Sequence, residues 1–323
     1  MTLAGLPAIA HPQQAMAPRP AEQAPITLPV TYQKQILILT LTDTKLGPLH
    51  MLVDTGAETT LLSGSATSIG AIDFNNRPFE AVRGSGSEAS IVIGTTSLDL
   101  HMGSTPIFST TVAVMDLRRI SRTMPHRIDG ILGWDFFQHW CIRIDYSHQQ
   151  ITLTPPASCA APHEKHTTLV GEWLKEGYLV PAHLNFSPSQ SADALLHLDT
   201  GADPPITLNS QFLKFATIHD SPQQGHGIGG EFTNDSTELS SADLDYGHIV
   251  LNDGPIPALI ARKGGFNNGH WWNIGRAEAR LNHDGIVGNG LLQRFTLTFD
   301  PAHKRIYAEN AAGHPQQPDP PRP

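Results

Sequence analysis

Met51-Leu52-Val53-Asp54-Thr55-Gly56-Ala57 and Leu196-His197-Leu198-Asp199-Thr200-Gly201-Ala202 are the two stretches on which the reading of this chain turns. Each is an apolar run ending in Asp-Thr-Gly-Ala, and the two lie 145 residues apart. Further on, Asp129-Gly130-Ile131-Leu132-Gly133 recurs as Asp284-Gly285-Ile286-Val287-Gly288, at an offset of 155. That second match continues without a gap. Phe136 falls on Leu291, Ile142 on Leu297, Ile144 on Phe299, Asp145 on Asp300, His148 on His303 and Ile151 on Ile306. Two motifs in one order, at similar separations, mark a duplicated domain.

Working outward, the repeat divides the 323 residues. Residues 1–25 read as a disordered tail or the remnant of a signal segment, with Leu3–Ala10 as a short apolar stretch lacking a basic start. The first copy takes 26–155, a polar Pro-bearing linker 156–168, the second copy 169–310, and a Pro-rich tail 311–323. Each copy reads mostly as strand: Ile26–Tyr32, Gln35–Thr42 and Pro48–Val53 in the first, and the alternating Leu179–Phe186 in the second. Trp134–Trp140 and Asn289–Phe295 read as short helices leading into strands. Charged residues make up 16% of the chain, below the ~25% of ordinary soluble domains, while Gly and Pro number 28 and 26. This composition disfavours a helical bundle and favours short strands joined by turns. The expected fold is all-β, two pseudo-symmetric β-barrel lobes with few short helices.

Composition also bounds partners. A net charge of −9 excludes nonspecific nucleic-acid binding, which needs a basic face. No apolar run reaches the length of a membrane-spanning helix. Cys141 and Cys159 exclude a disulfide-dense scaffold and a four-cysteine zinc site, and leave open one bridge or two free thiols. Gly225–Gly230 satisfies GxGxxG, but no helix-forming run follows it. His163 and His166 lie in the linker without a second ligand cluster, so neither cofactor nor metal is expected.

One Asp-Thr-Gly is an ordinary turn carboxylate. Two copies related by a pseudo-twofold axis place Asp54 and Asp199 face to face, where like charges cannot both ionise and the pair shares one proton. One carboxylate then takes a proton from a water while the other donates to a carbonyl oxygen. That is peptide hydrolysis without metal or covalent intermediate.

The doubled Asp-Thr-Gly-Ala, each copy followed by an apolar-apolar-Gly motif, resembles the aspartic peptidases. The alanine is similar to the retropepsin-like branch, and the single duplicated chain to the two-lobed pepsin-like arrangement. The resemblance covers residues 26–310. It implies an aspartic endopeptidase with Asp54 and Asp199 catalytic, Thr55 and Thr200 in an interlocked grip, and Gly56 and Gly201 close-packed. Ile131–Gly133 and Ile286–Gly288 would lie beneath the loops. A Gly-rich hairpin over each loop is also implied, as a substrate-binding flap: Gly84, Ser85 and Gly86 in the first copy, Gly227, Ile228 and Gly229 in the second. The partner is then a peptide or protein substrate, and the molecule a monomer with an intramolecular pseudo-dimer.

Asp203-Pro204-Pro205 stands where the first copy has Glu58-Thr59-Thr60, a departure that removes two backbone donors. It is the best support for the alternative, a catalytically silent peptide- or polymer-binding protein on the same fold. Glu58 and Asp203 are expected to face solvent. Trp271 and Trp272 are expected in the core or between lobes, and Trp134 and Trp140 in the core. The N-terminal tail points to a periplasmic or secreted location, with the cytoplasm open.

Overall fold

The computed structural model describes residues 24–77, 81–83, 89–124, 127–220, 222–227, 230–262 and 283–311. The signal-like stretch, most of the Pro-rich tail and Trp271-Trp272 lie outside them. The described chain is mostly strand, with three short α-helices among the described residues, Arg118–Thr123, Trp134–His139 and Asn289–Leu292. The all-β expectation holds. Ile36–Asp43 shows why: its aliphatic start is buried on both faces, and its end alternates between exposed Thr40 and Thr42 and buried Leu41 and Asp43.

Each half threads its central strand in the same way. Gly47–Val53 runs parallel to Gly130–Leu132, pairing Met51 with Gly130 and Val53 with Leu132. Gln190–Leu198 runs parallel to Gly285–Val287, pairing Leu196 with Gly285 and Leu198 with Val287. Both register sets follow the sequence repeat. The aspartate that opens the second motif latches each pair. Asp129 Oδ2 accepts from the His50 N–H at 3.0 Å, and Asp284 Oδ2 accepts from the Leu195 N–H at 2.9 Å.

The halves are joined by a continuous run of strands in the order Thr167–Leu169, Arg305–Asn310, Phe295–Asp300, Cys141–Asp145, Gln150–Thr154, Ile26–Gln33. At its centre Ile144 pairs with Leu297, Arg143 with Thr298 and Ile142 with Phe299. At the offset of 155, Arg143 and Thr298 are repeat counterparts, so the local twofold passes through a residue and its own copy. The stretch read as a linker therefore contributes a strand, Thr167–Leu169, to the sheet that joins the halves. Polar Thr167 and Thr168 hide this from a periodicity reading.

Rings from both halves meet behind the sheet. Trp134 lies 4.6 Å from Trp173 and Phe137 4.9 Å from Phe299, centroid to centroid. Trp134, Phe137, Trp140 and Phe299 are fully buried. This is the packing expected of the two first-copy tryptophans.

Cys141 and Cys159 form a disulfide with Cα atoms 5.7 Å apart, which settles the choice left open by the sequence. It ties the start of the strand Cys141–Asp145 to the turn Pro156–Ser158 that leaves the first half. Closing a loop of 18 residues stabilises a chain by about 3 kcal/mol. Cys141→Ser with Cys159→Ser should lower the melting temperature by roughly 5–10 °C. Thiol titration of the native protein checks the premise, since two reactive thiols would contradict the bridge.

Candidate active site at the paired Asp-Thr-Gly loops

The parallel pairs deliver both loops to one point. The Asp54 N–H donates to Leu132 O at 3.0 Å and the Asp199 N–H to Val287 O at 2.9 Å, so each aspartate leaves its strand at the same place. The loops then lock together. The Thr55 N–H donates to Thr200 Oγ1 and the Thr200 N–H to Thr55 Oγ1, both at 3.0 Å. Thr55 Oγ1 donates to Leu198 O at 2.8 Å, and Thr200 Oγ1 to Val53 O at 2.9 Å. Each hydroxyl thus accepts one bond and donates one, using the group's mixed capacity. All four groups are buried, so losing any bond leaves an unpaired polar atom at a cost of about 1–3 kcal/mol.

Gly56 and Gly201 let the loops approach. A Cβ on Gly56 would lie 2.5 Å from Asp199 Cγ, and one on Gly201 would strike the Asp54 carboxyl in the same way. The carboxyls therefore face one another, 6% and 2% exposed for Asp54 and Asp199. Asp54 Oδ1 accepts from the Gly56 N–H at 2.8 Å and the Ala57 N–H at 3.1 Å, and Asp199 Oδ1 from the Gly201 N–H at 2.8 Å. Burial pushes the Asp54 carboxyl up to about 6, partly offset by its bond with Asp199 and by those amides. Burial, and then the charge of Asp54, pushes Asp199 well above the usual carboxylate range. The pair holds a proton that isolated carboxylates lose.

Ala81–Arg83 pairs with the start of Ala89–Met102, and Gln223–Gly227 pairs with Gly230–Leu239 through Gly227 and Gly230. Of the residues expected in flaps, Gly84, Ser85, Gly86, Ile228 and Gly229 lie outside the described residues.

The Pro-Pro departure has a packing reason. In the first half the Thr60 hydroxyl and N–H both donate to half-buried Asp135 Oδ1, at 2.7 and 2.9 Å. The repeat counterparts are Pro205 and Gly290, and a Cβ on Gly290 would lie 2.7 Å from Pro205. A hydrogen-bonded pair is replaced by a ring seated on a glycine. Beside it opens a cavity of about 330 Å³ lined by Asp203, Pro204, Pro205, Gln223 and Glu238 among others. Asp203 is exposed, as expected, but Glu58 is half-buried. Burial pushes its carboxyl up to about 7; Lys175 opposes this, and Glu176 and Asp135 add to it.

Residues 40–136 match the family model described as aspartyl protease. That match takes in the first Asp-Thr-Gly loop and less than a third of the chain. Among solved structures it is similar to the aspartic proteinase from Irpex lacteus, at 14% identity and a TM-score of 0.52, over 90% of this chain and 98% of that one. That likeness speaks to the fold. No curated protein matches the sequence.

Three polar residues near the loops escape a motif search: His197, His283 and Asn289. The repeat alignment holds their signal, because their first-half counterparts Leu52, Ile128 and Trp134 are apolar. His197 and His283 are buried with ring centroids 5.4 Å apart, where Leu52 and Ile128 share an apolar cluster. Neither His197 ring nitrogen has a hydrogen-bond partner of normal geometry among the described residues. Burial pushes His197 well down and His283 beside it adds to this, while the Thr55 backbone opposes. Burial pushes His283 down to about 4, opposed by Gly285 O and Asp284. Unfolded histidine takes up its proton near pH 6.5, so the unfolded state binds more protons between there and pH 4. Stability is complete above about 6.5 and falls on acidification, by roughly 3 kcal/mol for His283 alone. The double change His197→Leu with His283→Ile should flatten this loss. Melting curves at neutral and acidic pH check it, and an unchanged acid dependence would count against it.

Proposed function

We propose that this protein is an aspartic endopeptidase whose two halves share one site, with Asp54 and Asp199 as a water-activating pair. The observation that carries the reading is the facing of two buried carboxyls across the reciprocal Thr55–Thr200 bonds. With one proton between them, the ionised carboxylate takes a proton from a water held at both. That water attacks the scissile carbonyl carbon while the other carboxyl donates its proton to the carbonyl oxygen. The resulting gem-diol collapses as a carboxyl returns a proton to the leaving nitrogen, and the C–N bond breaks. The pair titrates as a unit.

The strand pairs Ala81–Arg83 with Ala89–Met102 and Gln223–Gly227 with Gly230–Leu239 belong to flaps that exclude water and hold an extended peptide. The expected molecule is a monomer, because duplication supplies both halves of the site. The disulfide favours an oxidising compartment, in line with export. The silent-binder reading loses its main support, since Pro204-Pro205 is accommodated by Gly290 without displacing the aspartates' hydrogen bonds.

Asp54→Asn and Asp199→Asn should each lower peptide hydrolysis by roughly a thousandfold while preserving the melting curve. Full hydrolysis in both variants would rule the pair out. Activity requires one ionised and one protonated carboxyl, so kcat should fall as pH drops below about 6, where Asp54 takes up a second proton, and again at high pH, where Asp199 loses the shared one. A pH–rate profile on a peptide library, with a statine-type mimic as inhibitor, measures both points. A kcat that does not fall on acidification would contradict the assignment.

A further inference from the structure

The repeat places Asn289 where the first half has Trp134, and both are fully buried. Trp134 turns its indole to Leu174 O at 3.0 Å and packs among rings. A primary amide in the same place has two donors and a carbonyl to satisfy. Asn289 meets two demands on opposite sides. Its Oδ1 accepts from the Tyr146 hydroxyl at 2.8 Å, and its Nδ2 donates to Thr200 O at 2.5 Å. Its own N–H donates to Ala202 O at 2.8 Å, so one residue brackets the loop from Thr200 to Ala202.

Thr200 O and the Gly201 N–H belong to one planar peptide unit. Its oxygen is held by Asn289, and its N–H points to Asp199 Oδ1 at 2.8 Å. Turning that plane would move the donor away from the carboxylate. We propose that Asn289, held by Tyr146, is a positioning residue that orients the Thr200–Gly201 peptide and through it the Asp199 carboxylate. This rests on the reading of Asp199 as catalytic.

Tyr146 comes from the first half, so the second loop is steadied by a residue across the pseudo-twofold. Its ring packs edge-on against Tyr32 at 5.4 Å, and Tyr32 in turn donates to Gln293 Oε1 at 3.0 Å. Burial raises the Tyr146 phenol well above its usual range, which keeps the hydroxyl a donor. The arrangement has no mirror image. The counterpart of Tyr146 is Pro301, which has no hydroxyl, and that of Asn289 is Trp134, which faces away to Leu174.

The test is kcat and KM for one cleaved peptide across roughly pH 3–8, with full-length wild type, Tyr146→Phe, Asn289→Ala and Asp199→Asn, and melting curves beside them. A weakened Gly201 N–H bond favours the protonated form of Asp199. Tyr146→Phe and Asn289→Ala should therefore lower kcat about tenfold, keep KM within about twofold, and move the alkaline limb of the kcat profile, where Asp199 loses its proton, to higher pH. Tyr146→Phe keeps the ring contacts and decides alone if Asn289→Ala does not fold. An unchanged kcat and alkaline limb overturns the proposal. So does a fall in kcat with an unmoved alkaline limb, which marks a purely structural role. Full activity in Asp199→Asn overturns the catalytic reading itself, and the positioning role with it.

Discussion

Two carboxyl groups in a dry site repel as soon as both ionise, and the rest of this molecule is arranged around holding Asp54 and Asp199 together. Asp54 and Asp199 are each nearly inaccessible, so neither water nor a counter-ion relieves the strain of approach. The relief is a shared proton and a set of backbone N–H donors. Those donors work only if the loops that bear them cannot drift. The reciprocal threonine bonds join loop to loop. The Asp129 and Asp284 latches join each loop's strand to its parallel neighbour. The sheet centred on Arg143 and Thr298 joins half to half.

The symmetry is carried by backbone and broken by side chains. Strand registers, latches and the paired turns around Asp145–His148 and Asp300–His303 repeat almost bond for bond. Around them, Thr60–Asp135 becomes Pro205–Gly290, Leu52–Ile128 becomes His197–His283, and Trp134 becomes Asn289. A proton shared between two identical groups has no preferred owner. Unequal surroundings give one carboxyl a donor's role and the other an acceptor's, as in any pair of titratable groups pushed apart by environment. Two of these exchanges put polar side chains into the second half and one takes a hydrogen-bonded pair out of it.

Much of this was legible. The strands near Ile36 and Leu179, the helices after Gly133 and Gly288, and the meeting of the two aspartates all follow from local pattern and the repeat. The strand Thr167–Leu169 was not, because two threonines and a leucine carry no period and gain their place only from Arg305–Asn310 alongside. A glutamate in a turn usually faces solvent, and Glu58 is half-buried instead. The charges of Lys175 and Glu176 that act on it lie more than a hundred residues away. The bridge between Cys141 and Cys159 likewise depends on where a proline-rich turn comes to rest.

The sequence by itself determined the duplication, the strand-rich class and the two residues able to share a proton, because repeats and motifs are properties of order along the chain. Tertiary structure alone decided how that capability is held. The peptide plane anchored by Asn289, the buried histidine pair and the six strands joining the halves depend on contacts between residues far apart in the chain. No window of sequence contains both partners, and the energy of a buried polar group is set by whichever neighbour the fold brings to it.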